Sequence, residues 1–415
     1  MDPVDAARHT FRSNFHTEPT LLVRAPGRVN LIGEHTDYNG LPVLPFAIDR
    51  ATAVAAGPSI APALEAVSTT FAPPATLPLD ATPATVPEPW HRYLAAAIAV
   101  IRDRLDGRGA RLAIASHIPP ASGLSSSSAL TVGVLLALDT LHTLRLAPDE
   151  LAELAARAER LAGAETGGMD QRVIVFARPG ALLRIDFLPP AMRPLPLPAE
   201  WALVVASSGS PAPKGGAARN AYNQRVVATR IAAVLLADML GAQLEGTPLL
   251  GNVAAIDAAP LLVDELPARI SARKAAAMAG VPLQPLVALS AGTFDPDAPL
   301  PIRQYARHVL TEAERVDLAC AAVEANDLAA LGELMLASHT SLRDDYRCST
   351  PALDTLVHAM TRAGAAGARL TGAGFGGFAI AITQHGSEHA IIEAALRATG
   401  GPAFPVIPSQ GAAVL

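Results

Sequence analysis

The alternation of apolar and polar positions along the chain predicts a mixture of strands and helices. Short apolar runs predict strands at 20–24, 41–48, 111–116, 181–187 and 201–207. Longer runs with helical spacing predict helices at 90–104, 129–144, 148–163 and 220–240, and over most of 303–363. Because strands and helices do not alternate strictly, we expect an α+β fold rather than a doubly wound parallel sheet.

A proline-rich segment at 188–200 predicts the boundary between two domains. The chain has 415 residues, which exceeds the usual size of a single hydrophobic core. We therefore expect an N-terminal domain at 1–190 and a C-terminal domain at 191–415. The alanine- and proline-rich segment 57–89 predicts edge strands and turns, because proline cannot donate to a central ladder.

Composition and charge exclude several classes of function. The net charge is -6 and no run of basic residues occurs, so a nucleic-acid-binding surface is not expected. No uninterrupted apolar stretch reaches the roughly 18 residues of a membrane span, and the first residues do not resemble a secretory signal. The two cysteines, Cys320 and Cys348, lack metal-ligand spacing and suggest a reducing compartment. These features together predict a soluble, cytoplasmic protein that does not associate with membranes.

The segment 27–40, GRVNLIGEHTDYNG, concentrates polar chemistry in an otherwise aliphatic chain. Asn39 and Gly40 are typical of a turn. A turn does not require the charged and polar side chains that precede them, which are Arg28, Glu34, His35 and Asp37. So many hydrogen-bonding groups beside glycines suit a polyhydroxylated ligand such as a sugar, whose hydroxyls must be paired once buried. The segment is expected to follow the first strand as a loop.

A second loop, SGLSSSSAL at 122–130, places serines before a long apolar helix. Unpaired backbone N–H groups at a helix start attract anions, and serine hydroxyls bind phosphate or Mg²⁺. The alternative is a simple serine N-cap, for which one serine would suffice. No Walker A motif is present, so any nucleotide site is of another kind.

Two further glycine loops remain open to a structural or a functional interpretation. TGAGFGG at 371–377 fits G-x-G-x-x-G, but a helical pattern precedes it and a strand pattern follows. This context excludes a dinucleotide fingerprint and leaves a tight turn or a ligand contact. In ETGGMDQ at 165–171, Asp170 follows Gly167 and Gly168, and it is either a turn former or a functional carboxylate.

In combination, these loops resemble the motifs of galactokinases, within the superfamily of galactokinase, homoserine kinase, mevalonate kinase and phosphomevalonate kinase (GHMP kinases). Segment 27–40 resembles the galactokinase signature, IPPASGLSSSSAL the phosphate motif and RLTGAGFGGFAIAI the third motif. Smaller matches occur in the family's order: PWHRYLAAAI, GGMDQ, YARHVLTE and SHTSLRDDY. The resemblance covers nearly the whole chain, and it implies a two-domain GHMP kinase fold with the active site in the cleft between the domains.

The resemblance also implies roles for individual residues. Arg28 would lie near the transferred phosphoryl group and Asp170 would be the catalytic base, or would only orient the sugar hydroxyl. The other implied sugar contacts are Glu34, His35, Asp37, Gly167 and Tyr222. The implied ATP contacts are Gly123, Leu124, Ser125, Ser126 and Ser127, with Trp90 either near the adenine or in the core. Mg²⁺ would be bound by Ser127 and Glu159, with Glu165 as a competitor.

The resemblance therefore implies a galactokinase that uses ATP and Mg²⁺, a small-molecule sugar as partner, and a monomer or weak homo-oligomer. One departure keeps alternatives open. Segment 206–222 lacks the family's usual Arg-His-Ser stretch and carries Lys214 in a glycine-rich context, which affects the alignment of Tyr222. The alternatives are a kinase of the same mechanism for a sugar acid, a pentose or an N-acetylhexosamine, and a non-catalytic galactokinase-like sugar sensor.

Overall fold

The computed structural model describes residues 1–120, 122–163, 166–211, 216–256, 260–287 and 294–415. The chain folds into two compact units. Unit 1 comprises Met1–Val29, Phe46–Leu183 and Ile407–Leu415, and unit 2 comprises Asn30–Pro45 and Arg184–Val406. The units differ from the predicted division at 190, because the chain leaves unit 1 for residues 30–45 and returns to it at the C-terminus.

The secondary structure of the described residues is mixed. The strands are β1 (Leu21–Asn30), β2 (Pro45–Ser59), β3 (Ala63–Ser68), β4 (Ala75–Pro78), β5 (Gly109–Ser116), β6 (Ala181–Phe187), β7 (Pro190–Pro196), β8 (Trp201–Ser207), β9 (Gly367–Thr371), β10 (Phe378–Gln384), β11 (Ala403–Val406) and β12 (Ala413–Val414). The α-helices are α1 (Pro3–Phe15), α2 (Pro89–Leu105), α3 (Ser126–His142), α4 (Pro148–Leu161), α5 (Met169–Phe176), α6 (Gly216–Leu240), α7 (Leu250–Ala254), α8 (Ala272–Met278), α9 (Gln284–Val287), α10 (Ile302–Glu324), α11 (Leu328–Asp344), α12 (Pro351–Arg362) and α13 (Glu388–Thr399). Short 3₁₀ helices lie at Asp37–Asn39 and Pro260–Glu265.

Unit 1 is built on a sheet with the strand order β12-β1-β2-β5-β3-β4. β5 pairs antiparallel with β2 and parallel with β3. Successive side chains of a strand point to opposite faces. Accordingly, Ala53 and Ala55 of β2 pack with Phe11 of α1, whereas a Cβ on Gly133 of α3 would lie 3.3 Å from Val54. The sheet of unit 1 therefore carries helices on both of its faces.

Unit 2 contains an antiparallel sheet with the strand order β11-β8-β10-β9. Apolar side chains of α12 and α13, including Leu356, Met360 and Ile391, form a core with Val204 and Ala381 of the sheet. A separate, mainly helical core surrounds α6 and α10. The largely antiparallel sheets and the unevenly distributed helices confirm the predicted α+β class.

Most elements predicted from the apolar pattern are confirmed, and four predictions need correction. Segment 57–89 does not form edge strands only, because β4 lies at the edge of the sheet but β3 lies between β5 and β4. The segment 27–40 is not a loop throughout, because β1 continues to Asn30. The segment 188–200 is not only a connector, because it contains β7, which forms a two-stranded sheet with β6 and tolerates proline as an edge strand does. The pattern before TGAGFGG is not helical: β9 precedes the loop and pairs antiparallel with β10. A strand on each side still excludes the dinucleotide fingerprint.

None of the helices in the described part of the chain combines the length and the apolar character that a membrane crossing requires.

Gly332 marks a close approach of α11 to the start of β9. A Cβ at Gly332 would lie 2.2 Å from the carbonyl oxygen of Ala366, which is a backbone atom. Alanine gains about 1 kcal/mol over glycine within a helix, but overpacking costs about 1–3 kcal/mol or more. We expect Gly332→Ala to lower the melting temperature. Gly133→Ala, which would meet only side-chain atoms at 3.3–3.4 Å, is the matched control and should lower it less. Equal melting temperatures for the two variants would contradict this packing.

Candidate active site

The first group of functional side chains lies in unit 1 around Arg28, near the end of β1. The Arg28 side chain is buried and donates through Nε to Oδ1 of Asp170 at 2.8 Å and through Nη2 to Oδ2 at 2.9 Å. Its Nη1 donates to the carbonyl of Gly123 at 2.6 Å, and the Ser125 hydroxyl donates to Asp170 Oδ2 at 2.5 Å. Ser128 approaches the same oxygen at 3.4 Å. We call these residues, Arg28, Gly123, Ser125, Ser128 and Asp170, the phosphate-loop cluster.

Glycine makes this arrangement possible at two positions. A Cβ on Gly27 would lie 2.8 Å from the carbonyl oxygen of Leu124, so glycine lets β1 pass close to the serine loop. The next residue, Arg28, then donates its backbone N–H to the same carbonyl at 3.2 Å. Gly168 has φ 97° immediately before α5, and this turn places Asp170 in the first turn of the helix. Asp170 is therefore more than a turn former, because it pairs with Arg28.

Ser127 and Glu159 lie in one neighbourhood of unit 1, beside Tyr93 of α2. The pKa of the Tyr93 hydroxyl is raised by burial and by the charge of Glu159, while a hydrogen bond with Ser127 opposes the rise. The oxygen donors of Ser127 and Glu159 fit Mg²⁺, which takes one or two carboxylates and completes its shell with water and substrate phosphates. Among the described residues no group of three or more His, Cys, Asp or Glu could hold a metal. Glu165 lies outside the described residues.

The second group of side chains lies in unit 2 and surrounds His35, which is buried. Its Nδ1 lies 3.1 Å from the hydroxyl of Tyr38, and that hydroxyl lies 2.5 Å from the hydroxyl of Tyr346. The Tyr222 ring centroid lies 5.7 Å from His35 and 5.5 Å from Tyr38. Burial lowers the pKa of His35 well below its usual value, so the ring is neutral at physiological pH. We call Glu34, His35, Asp37, Tyr38, Tyr222 and Tyr346 the signature cluster.

The turn that carries Asp37 behaves as the sequence predicts. Asp37 is half-buried at the start of the 3₁₀ helix, and Gly40 ends it with φ 76°. The Asn39 side chain is buried and donates to the carbonyl of His35 at 2.8 Å. Asn39 and Gly40 thus shape the turn that carries Asp37.

Glu34 is bound to the third glycine loop. Its Oε1 accepts from the backbone N–H of Gly372 at 2.7 Å and lies 3.3 Å from the hydroxyl of Thr371. Arg369 of β9 approaches the same oxygen at 3.5 Å. Within unit 2, TGAGFGG is therefore a tight hairpin that contacts Glu34 of the segment 27–40, which favours the tight turn among the two interpretations left open.

A buried polar network centred on Glu312 contacts the backbone of the segment 27–40. Glu312 accepts from the backbone N–H of Gly33 at 2.9 Å, from Ser338 at 2.6 Å and from Arg315 at 2.7 Å. Burial opposes ionisation of Glu312, but the nearby positive charges, led by Arg315, lower its pKa to about 2. Glu312 is thus anionic over the physiological pH range, with the Arg315 guanidinium beside it.

His308 links the same segment to α11. Its Nε2 lies 3.1 Å from the carbonyl oxygen of Glu34 and its Nδ1 lies 3.0 Å from the Ser341 hydroxyl. Burial lowers the pKa of His308 to about 4, against an opposing contribution from Glu312. A neutral His308 donates from Nε2 to Glu34 and accepts from Ser341 at Nδ1.

The structure shows where the predicted site residues lie, for those that it describes, but it does not show their roles. It brings Arg28, Gly123, Ser125 and Asp170 together in unit 1, and Glu34, His35 and Tyr222 together in unit 2. Leu124 and Ser126 complete the serine loop, and Gly167 precedes α5. Trp90 is buried beside Phe71 and His91, which favours its interpretation as a core residue. Lys214 lies outside the described residues. For all the predicted site residues, contacts with substrates remain predictions.

Several residues at the two clusters were not predicted. They are Tyr38, Tyr93, Arg225, His308, Glu312, Tyr346 and Arg369. Four of them occur in the short family-like segments PWHRYLAAAI, YARHVLTE and SHTSLRDDY, so the motifs indicated their importance without indicating what they contact. Arg225 is an example: its guanidinium lies 5.1 Å from the Tyr305 ring and donates to the carbonyl of Tyr346 at 2.9 Å.

Comparison with protein families finds three matching segments. A model described as the galactokinase galactose-binding signature matches residues 9–58. Models described as the GHMP kinases N-terminal domain and GHMP kinases C-terminal match residues 92–178 and 319–401.

Comparison with individual proteins gives whole-chain matches. The chain is 37% identical to galactokinase from Chloroflexus aurantiacus over 97% of this chain and 95% of the relative. It is 36% identical to galactokinase from Roseiflexus sp. over 95% of this chain and 92% of the relative. The crystal structure of Lactococcus lactis galactokinase complexed with galactose matches with a TM-score of 0.77 and 28% identity, covering 99% of both chains. The fold is that of the GHMP kinases.

His308 is buried in its neutral form, so the free energy of unfolding should depend on pH. Its folded pKa of about 4 lies below the ordinary 6.5, so the unfolded chain binds more protons between these values and stability falls as pH falls through them. We expect the melting temperature to decrease from about pH 7 to about pH 5, and to decrease less in His308→Gln. The exposed His9→Gln is the control and should follow the wild type. A His308→Gln curve parallel to the wild type would contradict the assignment.

Proposed function

The chain belongs to the galactokinase family, and on this premise we propose that it transfers the γ-phosphoryl group of ATP to the C1 hydroxyl of galactose, forming galactose 1-phosphate and ADP. The contacts of Arg28 are the main support for this proposal, because one guanidinium binds both the carboxylate of Asp170 and the Gly123 carbonyl of the serine loop. A phosphoryl-transfer site needs a cation and a carboxylate in fixed positions, since catalysis rests mainly on positioning and charge stabilisation. The placement of the active site between two domains stays a prediction.

Arg28 and the serine loop would act on the phosphates. The first backbone N–H groups of α3, beginning at Ser126, have no partner within the helix and suit phosphate oxygens. The fixed guanidinium of Arg28 would stabilise negative charge that develops on the transferred phosphoryl group. Mg²⁺ bound through Ser127 and Glu159 would neutralise charge on the ATP phosphates.

Asp170 would act on the acceptor hydroxyl. Two hydrogen bonds from Arg28 fix the plane of its carboxylate. The carboxylate would accept the hydrogen bond of the C1 hydroxyl and hold its oxygen towards the phosphoryl group. The proton either passes to Asp170 or leaves with the phosphate product, and both routes use the same position of the carboxylate.

The signature cluster would recognise the remaining hydroxyls of the sugar. Carboxylates accept hydrogen bonds from hydroxyls, and a neutral imidazole donates at one nitrogen and accepts at the other. Glu34, His35 and Asp37 would together supply these functions, with the Tyr222 ring beside His35. The support of Glu34 by Gly372 fixes its position before the sugar arrives.

The sugar specificity is tested by ATP consumption of the purified protein across a panel of sugars. The panel contains galactose, glucose, galacturonate, arabinose and N-acetylgalactosamine. We expect galactose to give the highest kcat/KM. A higher kcat/KM for a sugar acid, a pentose or an N-acetylhexosamine would contradict galactose as the substrate, and binding of sugar and ATP without turnover would identify a sensor instead.

Asp170→Asn tests the catalytic carboxylate. The substitution preserves size and removes the charge that pairs with Arg28, and loss of a positioned acid–base group lowers kcat by about 10²–10⁴-fold. We expect that loss in steady-state assays, with galactose binding by calorimetry retained. Asp103→Asn, on the exposed surface of α2, is the matched control and should keep the wild-type kcat. An Asp170→Asn enzyme with near-normal kcat would exclude Asp170 from the reaction.

A further inference from the structure

Ser125 has an unusual conformation for the residue that begins a helix. It is the N-cap of α3 with φ 60° and ψ 41°, in the left-handed region that non-glycine residues rarely occupy. A serine at this position normally caps the helix through its side chain, but the Ser125 hydroxyl makes no capping hydrogen bond. The side chain is buried, so the hydroxyl requires another partner.

That partner is Asp170. The Ser125 hydroxyl donates to Oδ2 of Asp170 at 2.5 Å, the distance of a charge-assisted O–H···O⁻ bond. Ser128 approaches the same oxygen from the first turn of α3 at 3.4 Å, which is too long for a strong bond. Ser125 is therefore the closer of the two serine contacts that the structure describes for this carboxylate.

The chemistry of the hydroxyl limits what else it does. A serine hydroxyl has one proton to donate, and phosphate oxygens at neutral pH are mainly acceptors. While the Ser125 proton is bound to Asp170, this hydroxyl cannot donate to a phosphate. Phosphate binding by the serine loop is then left to the backbone N–H groups and to the hydroxyls of the following serines.

We propose that Ser125 is a positioning residue that fixes the carboxylate of Asp170, rather than a side-chain ligand of the ATP phosphates. Arg28 fixes Asp170 from one side and Ser125 adds a second anchor from the serine loop. Two anchors on different elements restrict rotation of the carboxylate about its χ2 angle. The inference rests on the proposed role of Asp170 in the kinase reaction.

Kinetics of Ser125→Ala and Ser125→Gly test the assignment. Both variants remove the hydroxyl, while glycine accepts the left-handed backbone without strain and alanine does not. We expect both to lower kcat about 10- to 100-fold through loss of orientation, with the KM for ATP and the calorimetric affinity for ATP within about two-fold of wild type. Ser387→Ala is the matched control: Ser387 is the N-cap of α13, its hydroxyl also makes no capping hydrogen bond, and its loss should leave kcat at the wild-type value.

Three outcomes would overturn the proposal. Weaker ATP binding with unchanged kcat would make Ser125 a phosphate ligand. A loss of kcat in Ser125→Ala but not in Ser125→Gly would assign the effect to the backbone. In the Asp170→Asn background, a further large loss on adding Ser125→Ala would show that the serine acts independently of Asp170.

The assays separate this proposal from the proposed function. Rates are measured with whichever sugar the wild type phosphorylates, so a substrate other than galactose does not affect the comparison. If the wild type turns over no sugar, the proposed function fails, and ATP affinity then tests whether Ser125 binds phosphate: weakened affinity in Ser125→Ala overturns the assignment, and unchanged affinity excludes Ser125 as a phosphate ligand.

Discussion

The segment 27–40 depends on one wholly buried guanidinium, that of Arg369 in β9. The chain beyond β1 runs through the interior of unit 2, where backbone carbonyls must find donors. Arg369 donates to the carbonyls of Asn30 and Leu31, each at 3.1 Å. Its charge lies beside Glu34, at 3.5 Å, and lowers the pKa of Glu312. Removing one partner from such a network leaves an uncompensated charge in the interior, so its members act as a unit.

Backbone conformation and close packing explain the glycines of the hairpin that follows β9. Gly372 and Gly374 adopt φ 86° and 80°, and a Cβ on Gly374 would lie 2.4 Å from the carbonyl oxygen of Cys348. Glycine permits both the backbone conformation and the close approach. The hairpin then presents the N–H of Gly372 to Glu34 at 2.7 Å. The motif TGAGFGG, whose spacing matches a dinucleotide fingerprint, therefore holds Glu34 of the segment 27–40 in place.

The sequence predicted the fold class, the long helices and the apolar strands because hydrophobic periodicity determines them. It also predicted that Arg28 and Asp170 belong to one reaction, although only the structure shows their two hydrogen bonds. β9 was predicted as helical because its five residues are too few for periodicity to decide. The partners of Ser125 and Arg369 could not be predicted, since both contacts join residues far apart in the chain. Local pattern carries no information about such pairings.

In the proposed function, the signature cluster recognises the sugar. Calorimetric titration of galactose into wild type and Glu34→Gln tests it most directly, because glutamine keeps an acceptor for the Gly372 N–H and loses the charge. Hydrogen bonds to a charged group contribute about 1.5–3 kcal/mol, so galactose affinity should fall by about 10-fold or more while ATP affinity is unchanged. An unchanged affinity for galactose, or a loss confined to ATP, would contradict the account.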